Sequence, residues 1–402
     1  MPRDLSPQSP SAPIFDVLIV GAGPAGLGCA AALKQCGIEN LAVVDFRGVG
    51  AAFEAWPAQM RMVSPSFHSN PFGQADLNAI TPHTSPADFI HSEHPTGSEY
   101  ASYLQAIASF YQFEVKTGIE ITGVEESGDC LALLGSPEPL LARHVVWTAG
   151  EFFFPRQSIK GSEHCLHNTK VADWSELPGI EHAIIGGFES GIDAAVHLAR
   201  QGKSVHVLSR GEPWHQDSSD PSRALSPFTV DRLKDVLLNA SGTVRFYKNA
   251  DIVEVARSGD TYFIMDEEGE PFEISTPPIL CTGFNGGLGP VASLFEDEKG
   301  RVAFTEEADE SPILPNLFYS GPLLQHRQAI FCFIYKFRAR FGIIARTIAE
   351  RLGHEWEQPL RQWLERGFMI DDLSCCDDCT CAVENDEQAA PAEIADYVTA
   401  DR

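Results

Sequence analysis

Basic residues are scarce in this chain: 29 lysines and arginines stand against 56 acidic residues, for a formal net charge of −27. Nucleic acids and anionic membranes are bound through basic surfaces, so this balance argues against both as partners. No apolar run approaches the ~20 residues that a membrane-spanning helix needs. Residues 1–13 also lack the apolar core of a signal peptide. We therefore expect a cytoplasmic protein with a flexible lead-in over residues 1–13.

A cysteine pair of the kind used in disulfide exchange is missing from residues 1–370, where six cysteines are scattered without a CxxC or CxxxxC spacing. We expect these to be reduced core thiols. Four more crowd into the acidic segment 371–402, at Cys375, Cys376, Cys379 and Cys381. Thiolates suit soft metal ions, and a flexible dithiol can shuttle electrons. Three interpretations stay open: a soft-metal site, a redox shuttle, or a tail without catalytic consequence.

What the chain does contain is two strand–turn–helix–strand units. The first spans residues 15–45 and turns at 21–26, and the second spans 182–208 and turns at 186–191. Both have the length and apolar pattern of a β-α-β unit. We therefore predict an α/β protein with two Rossmann-like (three-layer ββα) dinucleotide-binding domains.

The first turn carries the full glycine pattern of a dinucleotide site. Gly21 permits the tight turn out of the strand, Gly23 lets the backbone approach a pyrophosphate, and Gly26 lets helix and strand pack closely. The helix that follows presents unpaired N–H groups to the phosphates. Asp45 ends the next strand, where a carboxylate can accept the ribose hydroxyls. This combination predicts a bound dinucleotide.

The second turn departs from the pattern. Phe188 stands where the middle glycine is expected, and only Gly187 can partly substitute for it. The strand after this turn ends in Ser209 and Arg210 rather than in an acid. A carboxylate there would repel a 2′-phosphate, whereas serine and arginine can bind one. The pattern favours NADPH over NADH, with no nucleotide at all as the remaining alternative.

The order of the motifs resembles a known superfamily. The two glycine turns alternate with Thr148-Ala149-Gly150 and Cys281–Phe284, and Trp56-Pro57 and Met60–Met62 follow the first turn. Together they resemble the FAD- and NAD(P)H-dependent pyridine nucleotide-disulfide oxidoreductases, nearest to the flavin-containing monooxygenase-like and bacillithiol-disulfide-reductase-like members. The resemblance implies that an NADPH domain is inserted into an FAD domain.

The resemblance also implies how the chain is divided and which residues hold the cofactors. The expected segments are 14–155 (first FAD segment), 156–277 (NAD(P)H domain), 278–370 (second FAD segment with C-terminal helices) and 371–402 (acidic cysteine-containing tail). The residues expected at FAD are Gly21, Gly23, Pro24, Ala25, Gly26, Asp45, Trp56, Met60, Arg61, Ile121, Ala149, Gly150, Gly283, Ser320 and Gly321. Those expected at NADPH are Gly186, Gly187, Glu189, Ser190, Gly191, Ser209 and Arg210.

No residue is a firm catalytic candidate. Arg61 lies in a long irregular stretch and is a weak candidate, with a surface salt bridge as the alternative. His326 precedes a long helix expected over residues 330–352, whose N-terminus the resemblance implies to lie near the flavin. It is a weak candidate as proton donor, with a structural histidine as the alternative.

Three functions remain possible for this combination. The preferred one is an NADPH-dependent flavin monooxygenase that oxygenates a soft sulfur or nitrogen centre of a small thiol, sulfide or amine. The alternative is a reductase of a disulfide, polysulfide or metal-thiolate that uses the C-terminal cysteines. It is weakened by Ala25, which stands where bacillithiol-type reductases carry a cysteine. The third is a non-enzymatic flavin sensor or metal-handling protein.

Overall fold

The computed structural model describes residues 13–68, 73–215, 222–267 and 271–373. Residues 1–12 of the lead-in and the tail cysteines Cys375, Cys376, Cys379 and Cys381 lie outside these ranges. The strands are β1 (Ile14–Val20), β2 (Leu41–Asp45), β3 (Val115–Thr117), β4 (Gly123–Ser127), β5 (Cys130–Leu134), β6 (Leu140–Trp147), β7 (Leu166–His167), β8 (Glu181–Ile185), β9 (Ser204–Leu208), β10 (Thr243–Tyr247), β11 (Ile252–Ser258), β12 (Thr261–Asp266), β13 (Phe272–Ile274), β14 (Ile279–Leu280), β15 (Leu317–Tyr319), β16 (Gln325–His326) and β17 (Ala329–Ile330). The helices are α1 (Pro24–Gln35), α2 (Ala51–Glu54), α3 (Gly97–Phe110), α4 (Glu189–Arg200), α5 (Pro227–Asn239), α6 (Ile334–Phe337), α7 (Phe341–Leu352) and α8 (Arg361–Glu365).

The first sheet is built on β1, which lies between β2 and β6 and is parallel to both. Its order is β3-β2-β1-β6-β5-β4, and β15 pairs in parallel with β6. The inner strands are runs of valine, leucine, isoleucine and alanine because both faces of the sheet are covered. Helix α1 packs against α7 on one of these faces. The carboxyl ends of β1, β2, β6 and β15 therefore meet at one edge.

The second sheet is wholly parallel, in the order β10-β9-β8-β14-β7, and a separate antiparallel sheet is formed by β11, β12 and β13. Helix α4 contacts β8 and β9. The strands of this sheet lie between β6 and β15 in the chain, and β15 returns to the first sheet. The predicted fold class, two Rossmann-like domains with one inserted into the other, is confirmed.

The helix expected over residues 330–352 is wrong in its first part. Residues 329–330 belong to β17, and α6 is separated from α7 by a tight turn at Arg338–Arg340. Both arginines are buried there: Arg340 binds Asp309 (Nη2 to Oδ1, 3.0 Å), and Arg338 Nη1 donates to the carbonyl of Ala79 at 2.8 Å. These distant partners break the helix. No helix in the described ranges is long and apolar enough to cross a membrane.

The long irregular stretch that contains Arg61 is present over residues 51–94. Individual hydrogen bonds attach it to the rest of the domain. It contains α2 and a 3-10 turn at Pro86–Asp88, and the rest is loop. Tyr100 on α3 donates its hydroxyl to the carbonyl of Asn78 at 2.8 Å, and Tyr103 accepts from the amide of Ile80 at 3.0 Å. Helix α3 and the α6–α7 turn thus hold residues 78–80 in place, and residues of the same stretch, Trp56 and Met60–Ser64, lie beside the carboxyl edge of the first sheet.

Candidate functional site

A single cleft of about 660 Å³ runs along the carboxyl edge of the first sheet and reaches the first turn of α4 in the second domain. The predicted site residues that line it are Gly21, Gly23, Pro24, Ala25, Asp45, Trp56, Met60, Arg61, Ile121, Ala149, Gly150, Glu189, Ser190, Ser320 and Gly321. Those that do not line it are Gly26, Gly186, Gly187, Gly191, Ser209, Arg210, Gly283 and His326. The cleft is therefore shared by residues expected at both cofactors.

The first glycine turn leaves its open side toward the cleft. Gly21 has φ +112°, and a side chain on it would collide with the carbonyl oxygen of Thr148. Gly26 is packed against the carbonyl of Gly21, which explains why it supports the turn without facing the cleft. A Cβ placed on Gly23, in contrast, meets nothing within 4 Å. Helix α1 begins here without an acidic residue in its first turn, so amides and open space suit a diphosphate.

Asp45 ties the end of β2 to this turn. Its Oδ2 accepts from the amide of Ala22 at 2.8 Å, and its Oδ1 accepts from the amides of Arg47 at 2.6 Å and Gly48 at 2.7 Å. The carboxylate thus braces the glycine turn and still lines the cleft. Its oxygens have lone pairs left for ribose hydroxyls. Ser320, 1% exposed at the end of β15, also lines the cleft, and its hydroxyl is within hydrogen-bonding reach of the buried Cys29 thiol.

The two weak catalytic candidates have different environments. Arg61 lines the cleft rim, and its Nη1 donates to the carbonyl of His94 at 3.3 Å and lies 3.9 Å from Glu99. His326 is buried away from the cleft, with its Nε2 2.6 Å from Oδ1 of Asp309. His326 thus belongs to the buried ion-pair cluster that breaks the α6–α7 helix.

The second glycine turn repeats the backbone of the first but is more crowded. Gly186 has φ +109°, and a side chain on it would collide with the carbonyl of Cys281. A Cβ on Gly187 would lie 2.8 Å from atoms of Ser209 and Trp214. Phe188 caps α4 and is 38% exposed. Phe188 thus occupies the helix-capping position that Gly23 holds in the first turn.

Glu189, in the first turn of α4, is engaged by the neighbouring helix. Its Oε1 accepts from the amide of Ser226, and its Oε2 accepts from Thr229 Oγ1 at 2.6 Å. Both partners lie at the N-terminus of α5, whose dipole favours a carboxylate. Burial nevertheless raises the pKa of Glu189. Its charge is therefore directed at α5 rather than at a phosphate on α4.

The residues expected near the adenosine of NADPH lie outside the cleft. Ser209 is buried beneath Gly187, while Arg210 is exposed. The loop that follows is outside the described ranges over residues 216–221. The choice between NADPH and NADH therefore stays a prediction.

Several polar residues of the cleft were not singled out from the sequence. They are Glu151, Asn168, Asp193, Arg232 and Cys332. Burial raises the pKa of Glu151. Asp193 follows Glu189 by four residues on the same helix face, so helical spacing could have found it. The others come from separate segments, and only the fold brings them together.

Aromatic rings make up much of the remaining wall. They are Phe46, Phe53, Trp56, Trp147, Phe152, Phe153, Phe154, Phe284, Phe333 and Phe337. A wall of this kind excludes water and packs flat ring systems.

One described cysteine lines the cleft. Cys332 Sγ lies 3.1 Å from Ser222 Oγ, which also accepts from Lys336 Nζ at 2.7 Å. Burial raises the pKa of the Cys36 and Cys165 thiols to about 12, so neither is a ready nucleophile. No two described cysteines are joined to each other, and no group of three metal-type ligands occurs in the described ranges. The predicted metal or redox role of the tail cysteines lies outside those ranges.

Comparison with known proteins identifies the family. Residues 18–321 match the family model described as pyridine nucleotide-disulphide oxidoreductase, which is well over half of the chain. The chain therefore belongs to the pyridine nucleotide-disulphide oxidoreductase family, as the motifs predict. It is a flavin- and pyridine-nucleotide-linked oxidoreductase.

Individual relatives are distant. Bacilliredoxin reductase Bdr of Bacillus subtilis is 23% identical over 354 residues, covering 84% of this chain and 98% of that protein. Among solved structures, bacillithiol disulfide reductase Bdr from Staphylococcus aureus superposes with a TM-score of 0.67 at 20% identity. A flavin-containing monooxygenase from Stenotrophomonas maltophilia superposes with 0.64 at 17% identity. Each covers 84% of this chain and 98% of the other. These likenesses establish the fold and leave the reaction open.

Proposed function

We propose that this protein is an NADPH-dependent FAD oxidoreductase that acts on a small molecule. The observation that carries the proposal is the shared cleft, whose walls include both the first glycine turn and the first turn of α4. A hydride donor on the second domain and an acceptor on the first would meet there. FAD, when bound, supplies the reversible hydride chemistry, and the chain supplies binding and orientation.

The residues of the first turn fit FAD. The open side of Gly23 would admit a diphosphate, the amides at the start of α1 would bind it, and Asp45 would accept from the ribose. The aromatic wall suits the flat flavin half of the cofactor. NADPH is proposed over NADH because β9 is followed by Ser209 and Arg210 rather than by an acid.

As the reaction of the reduced cofactor we favour oxygenation of a soft sulfur or nitrogen centre. Dithiol chemistry needs two thiols within bonding range, and the described cleft wall offers one. The wall is mostly apolar, and apolar surroundings would help to protect a reactive reduced cofactor from side reactions with water. A small thiol, sulfide or amine fits this apolar space.

Reduction of a disulfide is the second candidate, and Cys332 is the observation that favours it. Its thiol lines the cleft, and the ammonium of Lys336 lies two hydrogen bonds away, through Ser222. A thiolate at this position would attack a disulfide, forming a mixed disulfide and releasing one thiol. A second protein thiol would then release the other thiol and form an internal disulfide, which two electrons passed from NADPH through the flavin would return to two thiols. The tail cysteines are candidates for that second thiol.

One set of assays separates the two candidates. The flavin-loaded protein is given NADPH, labelled dioxygen and a thioether or amine, and separately an aromatic disulfide without oxygen. Labelled oxygen in the product, retained in Cys332→Ser, supports oxygenation. Disulfide reduction that is lost in Cys332→Ser, but not in the matched control Cys165→Ser, supports the reductase. Failure of NADPH to reduce the flavin would contradict both.

A further inference from the structure

The edge strand of the second sheet ends at the cleft. Strand β7 is followed directly by a 3-10 turn at Asn168–Lys170. Asn168 is only 2% exposed, and it lines the cleft. It is therefore a deeply buried polar residue whose small remaining surface borders the cleft.

The side-chain amide of Asn168 is available to a ligand. It makes no hydrogen bond to any residue of the described ranges, and protein atoms enclose neither its oxygen nor its nitrogen. Buried polar groups are nearly always paired in folded proteins, so water or a ligand in the cleft has to satisfy this amide. The side chain offers an acceptor oxygen and an NH₂ donor side by side.

Contacts with the first domain hold the segment that carries Asn168. The amide of Ala58 donates to the carbonyl of Ala172 at 2.8 Å, and Gln59 Nε2 donates to Oδ1 of Asp173 at 2.6 Å. Ala58 and Gln59 belong to the irregular stretch of the first domain, other residues of which line the cleft. Asn168 thus lies on the second domain, close to where the two domains face each other.

The register of the second sheet places Asn168 relative to the second glycine turn. The last residues of four parallel strands lie in one row across the sheet: Leu208 of β9, Ile185 of β8, Leu280 of β14 and His167 of β7. The residues that follow them are Ser209, Gly186, Cys281 and Asn168. Gly186 therefore has Ser209 one strand away on one side and Asn168 two strands away, about 10 Å, on the other.

The order of these strand ends matches the order of the groups in NADPH. The 2′-phosphate is expected near Ser209, and the diphosphate near Gly186 and the start of α4. The next group, on the side away from the adenosine, is the ribose that carries the nicotinamide. The ring itself has to face the flavin of the first domain, so the ribose is the group left for the edge of the second sheet. Its two neighbouring hydroxyls can each donate and accept.

We propose that Asn168 binds the nicotinamide-side ribose of NADPH, with its amide oxygen accepting from one hydroxyl and its NH₂ donating to the other. This rests on the proposed use of NADPH. The contact is between neutral groups and lies beyond the diphosphate, so it acts independently of the 2′-phosphate. Fixing the ribose would restrict the rotation of the attached ring and so orient it toward the flavin.

The test uses three ligands that end at successive points of the nucleotide: 2′-phospho-ADP, 2′-phospho-ADP-ribose and NADP⁺. Calorimetry measures their binding to the oxidised, flavin-loaded protein, so no turnover is needed. Asn168→Ala should weaken the last two ligands about fivefold or more, because both carry the ribose, and should leave the affinity for 2′-phospho-ADP unchanged. Asn239→Ala is the matched control, since Asn239 is an exposed asparagine of the same domain that does not line the cleft. It should leave all three affinities unchanged.

Other patterns would overturn the inference. Weaker binding of NADP⁺ alone would show that Asn168 contacts the ring, equal weakening of all three ligands would show a general disturbance of the site, and no change would show no contact. The wild type provides a test that needs no variant to fold. An NADP⁺ analogue whose nicotinamide-side ribose lacks both hydroxyls should bind about fivefold or more weakly than NADP⁺. Equal affinity would overturn the inference and leave the proposed function intact, whereas absence of any NADP⁺ binding would refute the proposed function itself.

Discussion

The two glycine turns share a backbone and differ in what surrounds it. Gly21 and Gly186 have nearly equal φ, +112° and +109°, and each would collide with a carbonyl oxygen if it carried a side chain. They differ at the residue that caps the following helix, which is Gly23 in the first turn and Phe188 in the second. The same local fold thus leaves open space at the helix cap in one domain and carries a phenylalanine there in the other.

The two turns also differ in the charged residues that surround them. Helix α1 has no acid in its first turn, and Asp45 ends the neighbouring strand. Helix α4 begins with Glu189, and its neighbouring strand is followed by Ser209. Both turns have a backbone geometry that suits a diphosphate. The side chains around each turn then determine which nucleotide binds and with what affinity.

The largest effect is expected when Gly23 of the first turn is replaced by phenylalanine, the residue at the equivalent position of the second turn. In Gly23→Phe the ring would project into the space that a diphosphate needs. We expect FAD affinity to fall about 100-fold or more, equivalent to ~2.8 kcal/mol, and the protein to be purified colourless. Flavin absorbance and titration with FAD measure this.

The matched change is Phe188→Gly, which should leave the flavin in place and leave NADP⁺ affinity equal or higher. A Gly23→Phe protein that keeps a full complement of FAD would show that the open side of the first turn is not where the diphosphate binds.

Replacing Ser209 and Arg210, the two residues that follow β9, should alter the preference between NADPH and NADH. Ser209→Asp combined with Arg210→Ala places at the second turn an acid like that of the first. We expect the preference for NADPH over NADH to fall about tenfold or more, because the acid repels a 2′-phosphate. Steady-state kinetics with both nucleotides measure it. Arg200→Ala, which removes an exposed arginine at the far end of α4, should leave the preference unchanged.

Asp45 should matter for stability as well as for binding. Asp45→Ala leaves the amides of Ala22, Arg47 and Gly48 without their acceptor. We expect the free energy of unfolding of the FAD-free protein to fall by about 1–3 kcal/mol. Thermal melts measure it, and Asp45→Asn, which keeps one acceptor oxygen, should lose less. An Asp45→Ala protein as stable as the wild type would contradict a bracing role.

The smallest effect is expected at Glu189, whose carboxylate is engaged by α5. Glu189→Ala removes an acceptor from the N-terminus of that helix and should cost about 1 kcal/mol of stability. FAD binding should not change. A large gain in NADP⁺ affinity instead would show that the carboxylate acts on the nucleotide rather than on α5, and calorimetry distinguishes the two.

Local patterns made the fold and the first turn predictable from the sequence. The strand β1, the glycines after it and Asp45 lie within 32 residues of one another, so spacing alone indicates their arrangement. The ion pair between Asp193 and Arg232 depends on how two helices pack, which no short pattern reveals. The same holds for the interrupted helix at Arg338, because the carbonyl of Ala79 that it binds lies 259 residues away in the chain. The cleft residues that come from separate segments of the chain could be identified only from the structure.

The central claim is that one cleft holds a hydride donor and a flavin together. Titration of the flavin-loaded protein with NADPH in the absence of oxygen tests it most directly. The account predicts that an equimolar amount of NADPH bleaches the visible flavin absorption, and that NADH does so only at higher concentration. A protein that binds FAD but is never bleached by either nucleotide would contradict it.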